Sequence, residues 1–234
     1  MMPIKRLSAT ITAFKDLSPT AREVTLTLSE TMPFIAGSFV NVFMEHEGEV
    51  LRRAFSISSF DSNFNEINLS IRLNPEGAMT PLFWKEDIVG TKVDLMGPLG
   101  LNTADKMQKD KIFLFGFGVG AGVMKSLAEY FAKKDNISTL TIVTGSRTEL
   151  EILHKDFFDT LQAEYVPVTV KYVVSKPENN SPHKSGYIQE HINDLDFNNS
   201  DIYVCGQEAV CDYLVERVKD LDPKECTYFI EGFH

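Results

Sequence analysis

IFLFGFGVGAGVMKS, residues 112–126, decides the fold, because a short apolar run in it breaks into alternating glycines and then continues with helical spacing. The glycines are Gly116, Gly118, Gly120 and Gly122. Without side chains, the chain can turn sharply from a strand into a helix, and a phosphate can approach the backbone amides at the positive end of that helix. The stretch is therefore a candidate dinucleotide-binding turn. Its spacing alone leaves the ligand open, since such turns also bind S-adenosylmethionine or serve close packing.

The composition allows one large domain or two domains of ordinary size. The chain has 234 residues, of which 43% are hydrophobic, and this is enough apolar material for substantial cores. A net charge of −10 would repel nucleic acid and anionic membrane surfaces at long range. From the length and the apolar content we expect two domains. From the net charge we expect neither nucleic acid nor a membrane as partner.

The cysteines and the apolar segments indicate a soluble protein of a reducing compartment. Cys205, Cys211 and Cys226 are too few and too widely spaced for a disulfide framework, a zinc ribbon or a ferredoxin-type cluster. The N-terminus lacks the continuous apolar region of a signal peptide. The longest apolar run, residues 112–124, is rich in glycine and shorter than the roughly 20 residues that span a bilayer. The expected location is the cytoplasm.

Short strands and turns precede the glycine stretch. Residues 5–29 show a period of two, which is typical of a strand with one buried face. The further expected elements are strands over residues 39–43, 50–58, 67–73 and 92–96 and a short helix over residues 78–85. About six short strands at this spacing imply a small antiparallel barrel.

Strands and helices alternate after the glycine stretch begins. Residues 101–111 are polar and aperiodic, so we place the domain boundary there, giving domains 1–104 and 105–234. The expected strands are residues 112–115, 139–144, 168–174, 201–204 and 226–230, the expected helices are residues 120–133, 150–163 and 207–221, and residues 176–184 form a loop. This alternation implies an α/β domain, a parallel sheet with helices on both faces.

A second informative motif lies on the strand over residues 50–58. In Arg53-Ala54-Phe55-Ser56, an arginine offers a phosphate partner, an aromatic ring can lie against a flat ligand, and a hydroxyl can donate a hydrogen bond. Ile71 and Arg72 follow about twenty residues later. Gly77-Ala78-Met79-Thr80 is then a second glycine turn at a helix N-terminus, suited to a pyrophosphate.

With these residues identified, the chain resembles the ferredoxin-NADP reductase family of two-domain flavoproteins. The likeness covers almost the whole chain in the right order. Its motifs are R-x-[aromatic]-S at residues 53–56, the FAD-pyrophosphate turn at 77–80, G-P-x-G at 97–100, G-x-G at Gly118-Val119-Gly120, G-x-R at 145–147, the pair Cys205-Gly206, and E-x-F at 231–233. The resemblance implies an FAD-binding barrel followed by an NAD(P)-binding α/β domain.

The resemblance also implies roles on the flavin side. Arg53 would hold a flavin phosphate, Phe55 would pack on the isoalloxazine, and Ser56 would hydrogen-bond near flavin N5, where the hydride arrives. Phe55 stands where the family usually has tyrosine, which keeps the stacking surface and loses a hydroxyl. The other residues expected at this cofactor are Ala54, Ile71, Arg72, Gly77, Met79 and Thr80.

On the nicotinamide side, the resemblance places Cys205 and Glu231 beside N5 and Phe233 against the opposite face of the flavin. Ser56, Cys205 and Glu231 form the expected catalytic set. Hydride transfer requires two flat rings stacked in near contact, so the protein mainly supplies positioning and polarity. The remaining residues expected at the nucleotide are Gly118, Val119, Gly120, Ser146, Arg147 and Gly206.

The choice between NADP and NAD is predicted from the end of the second parallel strand. An acidic residue there binds the ribose hydroxyls of NAD, whereas an arginine accommodates the 2′-phosphate of NADP. The strand ends Thr144-Gly145-Ser146-Arg147, which favours NADP. Glu149 lies close by, so NAD stays open.

The predicted function is an FAD-dependent NAD(P)H oxidoreductase that passes electrons to a protein acceptor such as ferredoxin or flavodoxin. One alternative is a reductase of free flavin, which can dispense with the pyrophosphate turn at residues 77–80. Another is the electron-transfer flavin subunit of a larger complex. A methyltransferase is a distant alternative: residues 113–120 fit its opening motif, but Gly145-Ser146 stand where it needs an acid.

No metal site or hydrolase signature is predicted. The five histidines share no metal-ligand spacing, and the chain contains neither a G-x-S-x-G elbow nor a phosphate-binding P-loop. The histidines are His46, His154, His183, His191 and His234.

Overall fold

Six antiparallel strands form the first half of the protein in a computed structural model, which describes residues 2–60 and 63–233. His234 lies outside the described residues. The strands are β1 (Lys5–Ser18), β2 (Ala21–Leu28), β3 (Phe39–His46), β4 (Glu49–Ser56), β5 (Glu66–Arg72) and β6 (Lys92–Leu99). They pair in the order β4-β3-β6-β1-β2-β5, and a bridge from Ile57 to Leu69 draws the two edge strands together into the predicted barrel.

The period of two in the sequence explains the barrel core. Val24, Leu26 and Leu28 of β2 are buried, whereas the threonines between them face outward. The residues predicted as one strand, 5–29, form two strands, because the turn at Pro19-Thr20 interrupts them. Proline has no N–H for the ladder, so it ends β1 while the apolar alternation resumes beyond it.

Six parallel strands form the second half. The elements are β7 (Lys111–Phe117), α1 (Gly120–Ala132), β8 (Thr139–Ser146), α2 (Lys155–Glu164), β9 (Val168–Val174), β10 (Lys184–Ser185), β11 (Asp201–Gln207), α3 (Glu208–Asp220) and β12 (Thr227–Phe233). Their order is β10-β9-β8-β7-β11-β12. Ile112 and Leu114 pack in the core under α1 and α2, while Phe113 and Phe115 pack in the core under α3. The prediction of helices on both faces is confirmed.

Three further predicted elements differ from the structure. The helix predicted over residues 150–163 begins only at Lys155, because His154 has a left-handed backbone (φ 57°) and a separate 3₁₀ turn covers Glu149–Glu151. The helix predicted over 78–85 is a 3₁₀ helix, Thr80–Trp84. The loop predicted over 176–184 runs into β10 at its end. The boundary between residues 104 and 105 falls between β6 and β7 and stays a prediction.

A polar seam joins the barrel to the α/β half. Lys125 of α1 forms a 2.9 Å ion pair with Glu23 of β2, and the Ser58 hydroxyl donates to the same carboxylate at 3.0 Å. The Ser70 hydroxyl of β5 lies 2.9 Å from His154 Nε2. The side chains of Glu23 and Lys125 are only 13% and 14% exposed, so the two halves are held at a fixed orientation by largely buried polar contacts.

Candidate functional site

Two cavities meet where the barrel contacts the carboxyl ends of the parallel strands. The barrel cavity has a volume of about 500 Å³ and the sheet cavity about 380 Å³. The barrel cavity is lined by Phe39, Ser70, Val119 and residues 53–56, 72–75, 77–80 and 231–233. The sheet cavity is lined by Arg72, Val173, Ser175, Gln207, Val210, Phe233 and residues 117–119, 145–147 and 186–188.

Strand β4 forms one wall of the barrel cavity. All four residues of the predicted flavin motif line it: Arg53, Ala54, Phe55 and Ser56. The Phe55 ring packs edge-on against Phe83, with ring centroids 5.8 Å apart, so a flat apolar surface is held in place at the cavity. A guanidinium, an aromatic face and a hydroxyl therefore stand side by side on one strand.

The turn over residues 74–80 forms a second wall and is ordered by its own hydrogen bonds. The Asn74 N–H donates to Thr80 Oγ1 at 2.9 Å, and the Gly77 N–H donates to the Asn74 carbonyl at 3.0 Å. A Cβ on Gly77 would lie 3.2 Å from the Asn74 side chain, which leaves little room for another residue. Such a preformed turn can present backbone N–H groups to a pyrophosphate.

The glycine turn after β7 forms the base of the sheet cavity. Gly118 has a positive φ of 54°, which glycine adopts without strain. A Cβ on Gly120 would overlap the Cys205 carbonyl, so only glycine allows α1 to start directly against β11. The cavity thus lies at the carboxyl ends of β7, β8 and β11, where parallel α/β sheets bind their ligands.

Three residues line both cavities: Arg72, Val119 and Phe233. Phe233 ends β12 and is 37% exposed. Ligands that fill the two cavities would therefore meet at the Val119 and Phe233 side chains. The donor set fits a flat heterocycle with phosphates on the barrel side and a dinucleotide on the sheet side.

Four predicted residues line neither cavity. Ile71 and Cys205 are buried side chains, with 0% and 1% of their surface exposed, so they could reach a ligand only through the backbone or a displaced wall. Burial also raises the pKa of the Cys205 thiol far above its usual value, which keeps it protonated. Gly120 and Gly206 lie beneath the wall, where the Cβ of another residue would meet Cys205 or Phe117 respectively.

Glu231 lines the barrel cavity and is tied to the segment between β6 and β7. Asn102 Nδ2 donates to its carboxylate at 3.0 Å and to the Ile230 carbonyl at 2.7 Å. Burial raises the pKa of Glu231, and the Asn102 hydrogen bond offsets part of that increase. The carboxyl group is therefore more easily protonated than an exposed glutamate.

Sequence reasoning missed several lining residues. Phe39, Asn74 and Pro75 line the barrel cavity, and Tyr187 and Gln207 line the sheet cavity. Phe39 reaches the site because it pairs with Ser56 across β3 and β4, a register that no single-strand motif reveals. Asn74 and Pro75 directly precede the glycine turn and could have been included with it.

Other features of the surface lie away from these two cavities. A larger groove of about 750 Å³ lies at the amino ends of β7, β8 and β9 and contains none of the predicted site residues. Among residues 2–60 and 63–233, no helix is long and apolar enough to cross a membrane. In the same part of the chain, no three His, Cys, Asp or Glu side chains gather as metal ligands would.

Comparison with known proteins defines the class. An oxidoreductase FAD-binding domain matches residues 8–103, and an oxidoreductase NAD-binding domain matches residues 114–216. The fold, the two cavities and these matches together define a two-domain NAD(P)- and FAD-binding oxidoreductase. The chain belongs to the ferredoxin-NADP reductase family. The resemblance that its motifs indicated is confirmed.

Named relatives agree with this assignment. The chain is 27% identical to the phenol 2-monooxygenase reductase component DmpP of Pseudomonas sp. (strain CF600), over 99% of this chain and 67% of that protein. It is 23% identical to ferredoxin–NADP reductase B of Sorangium cellulosum (strain So ce56), over 83% of this chain and 80% of that one. A ferredoxin NADP+ reductase from Neisseria gonorrhoeae, solved with FAD and NADP, has the same fold: its TM-score is 0.85 at 17% identity, over 98% of this chain and 99% of that one.

The chain is shorter than several of its relatives. It spans 67%, 60%, 58% and 53% of the length of four curated relatives that it matches.

Proposed function

We propose that the protein transfers a hydride from NAD(P)H to FAD and then passes the electrons to a protein acceptor such as ferredoxin or flavodoxin. The observation that carries this proposal is the common wall of the barrel cavity and the sheet cavity, formed by Arg72, Val119 and Phe233. Hydride transfer needs two rings in near contact, and two adjoining cavities provide such a meeting point.

On the barrel side, the residues of β4 and of the turn that follows β5 have separate roles. Arg53 binds a flavin phosphate, Phe55 packs on the ring system, and Ser56 donates a hydrogen bond near its reactive nitrogen. The turn over residues 77–80 binds the pyrophosphate through backbone N–H groups. Bound FAD supplies a ring system that accepts a hydride and can release two electrons singly.

On the sheet side, the glycine turn at 118–120 receives the nucleotide phosphates, and Ser146 and Arg147 receive the adenosine ribose. NADP is the favoured nucleotide because Arg147 directly follows β8, with NAD as the alternative. Cys205 and Gly206 shape this side from beneath, since Gly120 lies against the Cys205 carbonyl. The Glu231 carboxyl and the Phe233 ring flank the point where the two ligands meet.

The acceptor is proposed from the chemistry of the relatives. Among them are proteins named as the reductase component of phenol 2-monooxygenase and the electron transfer component of toluate 1,2-dioxygenase. The retained pyrophosphate turn favours bound FAD over free flavin as a substrate. We also propose a domain boundary between residues 104 and 105, in the segment between β6 and β7. A cytoplasmic location is proposed as well, because none of the three cysteines forms a disulfide.

Spectroscopy of the purified protein tests the function. We expect an oxidised-flavin absorbance spectrum, release of FAD on heating, and bleaching of the spectrum by NADPH without air. Steady-state assays should then show electron transfer to ferredoxin or flavodoxin. A protein that is colourless and takes up no added FAD would refute the proposal, and strong preference for exchangeable free FMN would establish the free-flavin alternative instead.

A further inference from the structure

Glu151 is a largely buried carboxylate that crosses from the α/β half to the barrel. It ends the 3₁₀ turn between β8 and α2, and its side chain is 13% exposed. The Ser18 and Thr20 hydroxyls each donate to it at 3.0 Å, and an Arg72 nitrogen donates at 3.0 Å. All three donors belong to the barrel, so one carboxylate gathers three barrel groups.

Arg72 is the charged residue that lines both cavities. A Cβ placed on Gly118 would lie 3.5 Å from the Arg72 Nη2 atom, so the guanidinium lies over the glycine turn. Its side chain is 43% exposed, so an anion entering either cavity can reach it.

Glu151 holds the Arg72 guanidinium in place and leaves other N–H donors of Arg72 available to a ligand. The bond to Glu151 involves Nη2, and a guanidinium has five N–H donors, so others remain for a phosphate. A long arginine side chain at a cavity edge would otherwise sample several rotamers, and ordering it would weaken ligand binding. The Glu151 charge is paired with Arg72 and its oxygens also accept two hydroxyl hydrogen bonds, so we expect the gain from preorganisation to exceed the repulsion between this carboxylate and a bound phosphate.

We propose that Glu151 is a positioning residue that holds the Arg72 guanidinium at the junction of the two cavities, where it meets phosphate groups of both dinucleotides. The inference rests on the proposed function, because that function places FAD in one cavity and NAD(P)H in the other.

Binding measurements on a double-mutant cycle test this role. FAD is titrated into apoprotein by fluorescence quenching, and NADP+ into the FAD-loaded protein by difference spectroscopy. Glu151→Ala should weaken both ligands by about five- to tenfold, the size expected for coupling between contacting side chains. In an Arg72→Ala background the same change should cost less than about twofold, because its effect acts through Arg72.

Two further variants separate positioning from simple loss of contact. Thr20→Val removes a barrel hydroxyl from Glu151 without touching Arg72 and should leave both affinities within about twofold. Glu164→Ala removes an exposed carboxylate at the end of α2 and serves as the matched control. Equal losses for Glu151→Ala in both backgrounds, or weakening of one ligand alone, would overturn the proposal. Wild-type protein that binds no FAD would overturn the proposed function as well.

Discussion

At the scale of single residues, Arg147 is the side chain best placed to choose between the two nicotinamide nucleotides. It is exposed, it lines the sheet cavity, and no carboxylate within the described ranges forms an ion pair with it. The nearby acid, Glu149, accepts the Glu178 N–H instead, and a Ser181 hydrogen bond helps to lower its pKa. Arg147 is therefore free to bind a 2′-phosphate.

Arg147→Ala should reduce kcat/KM for NADPH by about ten- to one hundredfold and for NADH by less than about twofold, because a charge-assisted hydrogen bond contributes about 1.5–3 kcal/mol. Steady-state kinetics with both nucleotides measure the ratio. Arg217→Ala, an arginine on α3 outside both cavities, is the control. Equal losses for NADPH and NADH would exclude a 2′-phosphate role.

The sequence predicted residues that line the cavities best where several chemically suited side chains were consecutive. Residues 53–56 and 77–80 all line the barrel cavity. Residues that are consecutive on one strand or in one short turn stay close together in the fold, so a motif made of them reaches the same cavity. Glu151 and Tyr187 were missed, since each is a single residue on an irregular turn. The burial of Cys205 was also missed, because it results from packing in the core that Cys205 shares with the buried face of α1.

At the scale of the elements, the close contact of α1 with β11 depends on one glycine. Gly120 begins α1, and a Cβ there would overlap the backbone carbonyl of Cys205, which cannot rotate away as a side chain could. The start of the helix would have to shift from the sheet.

Gly120→Ala should therefore lower the free energy of unfolding by about 2–3 kcal/mol or more, at the upper end of what overpacking costs in other cores, because the overlap is with backbone. Urea denaturation, with the slope compared between variants, measures the change. Gly48→Ala is a matched control: Gly48 has a positive φ of 83° but nothing within 4 Å of an added Cβ, so it should cost only the backbone strain of about 1 kcal/mol. A Gly120 variant as stable as the Gly48 variant would contradict this account.

Elements with strong periodicity were predicted well, and those governed by local backbone geometry were not. The buried positions of α1, such as Met124, Leu127 and Phe131, repeat with helical spacing and were readable in advance. The late start of α2 depends on the left-handed conformation of His154, which its sequence neighbours do not signal. The prediction, which used helical spacing alone, therefore began the helix at residue 150, inside the 3₁₀ turn that precedes α2.

At the scale of the whole molecule, the polar seam makes stability depend on pH. Burial lowers the pKa of His154 to about 4 from its ordinary 6.5, with Glu23 on β2 opposing the shift and Lys125 on α1 and Lys15 on β1 adding to it. The unfolded chain therefore binds a proton on this histidine that the folded protein does not take up between about pH 6.5 and pH 4. The free energy of unfolding is therefore highest above about pH 6.5, where His154 is neutral in both states, and it decreases as the pH falls toward 4.

Between pH 7 and pH 5, the wild-type protein should lose about 2 kcal/mol of unfolding free energy through His154, at about 1.36 kcal/mol per pH unit. His154→Gln cannot titrate and should lack this part of the slope. Urea unfolding of both proteins at several pH values measures the difference. Burial raises the pKa of Glu23, but Lys125, His154 and Ser58 lower it overall, so this carboxylate is already ionised between pH 5 and pH 7 in the wild-type protein. Parallel pH profiles would refute the assignment.

The two-domain arrangement was predictable from the sequence, whereas the contacts between the halves were not. Ordered motifs and a switch from period two to alternating strands and helices indicated a barrel followed by a parallel sheet. Glu23, Lys125 and His154 look like ordinary surface residues in the sequence, because nothing near them marks the surface that the other half covers. Glu23 and Lys125, for example, are about one hundred positions apart in the sequence, and only folding brings them into contact.

The direction of β12 has a practical consequence for anyone who labels this protein. The strand carries the polypeptide to Phe233, directly at the mouth shared by both ligand chambers. A bulky fluorescent reporter attached to the Phe233 end of this strand would crowd the entrance. The hairpin at Glu47-Gly48, at the remote end of β4, offers open space for such an insertion.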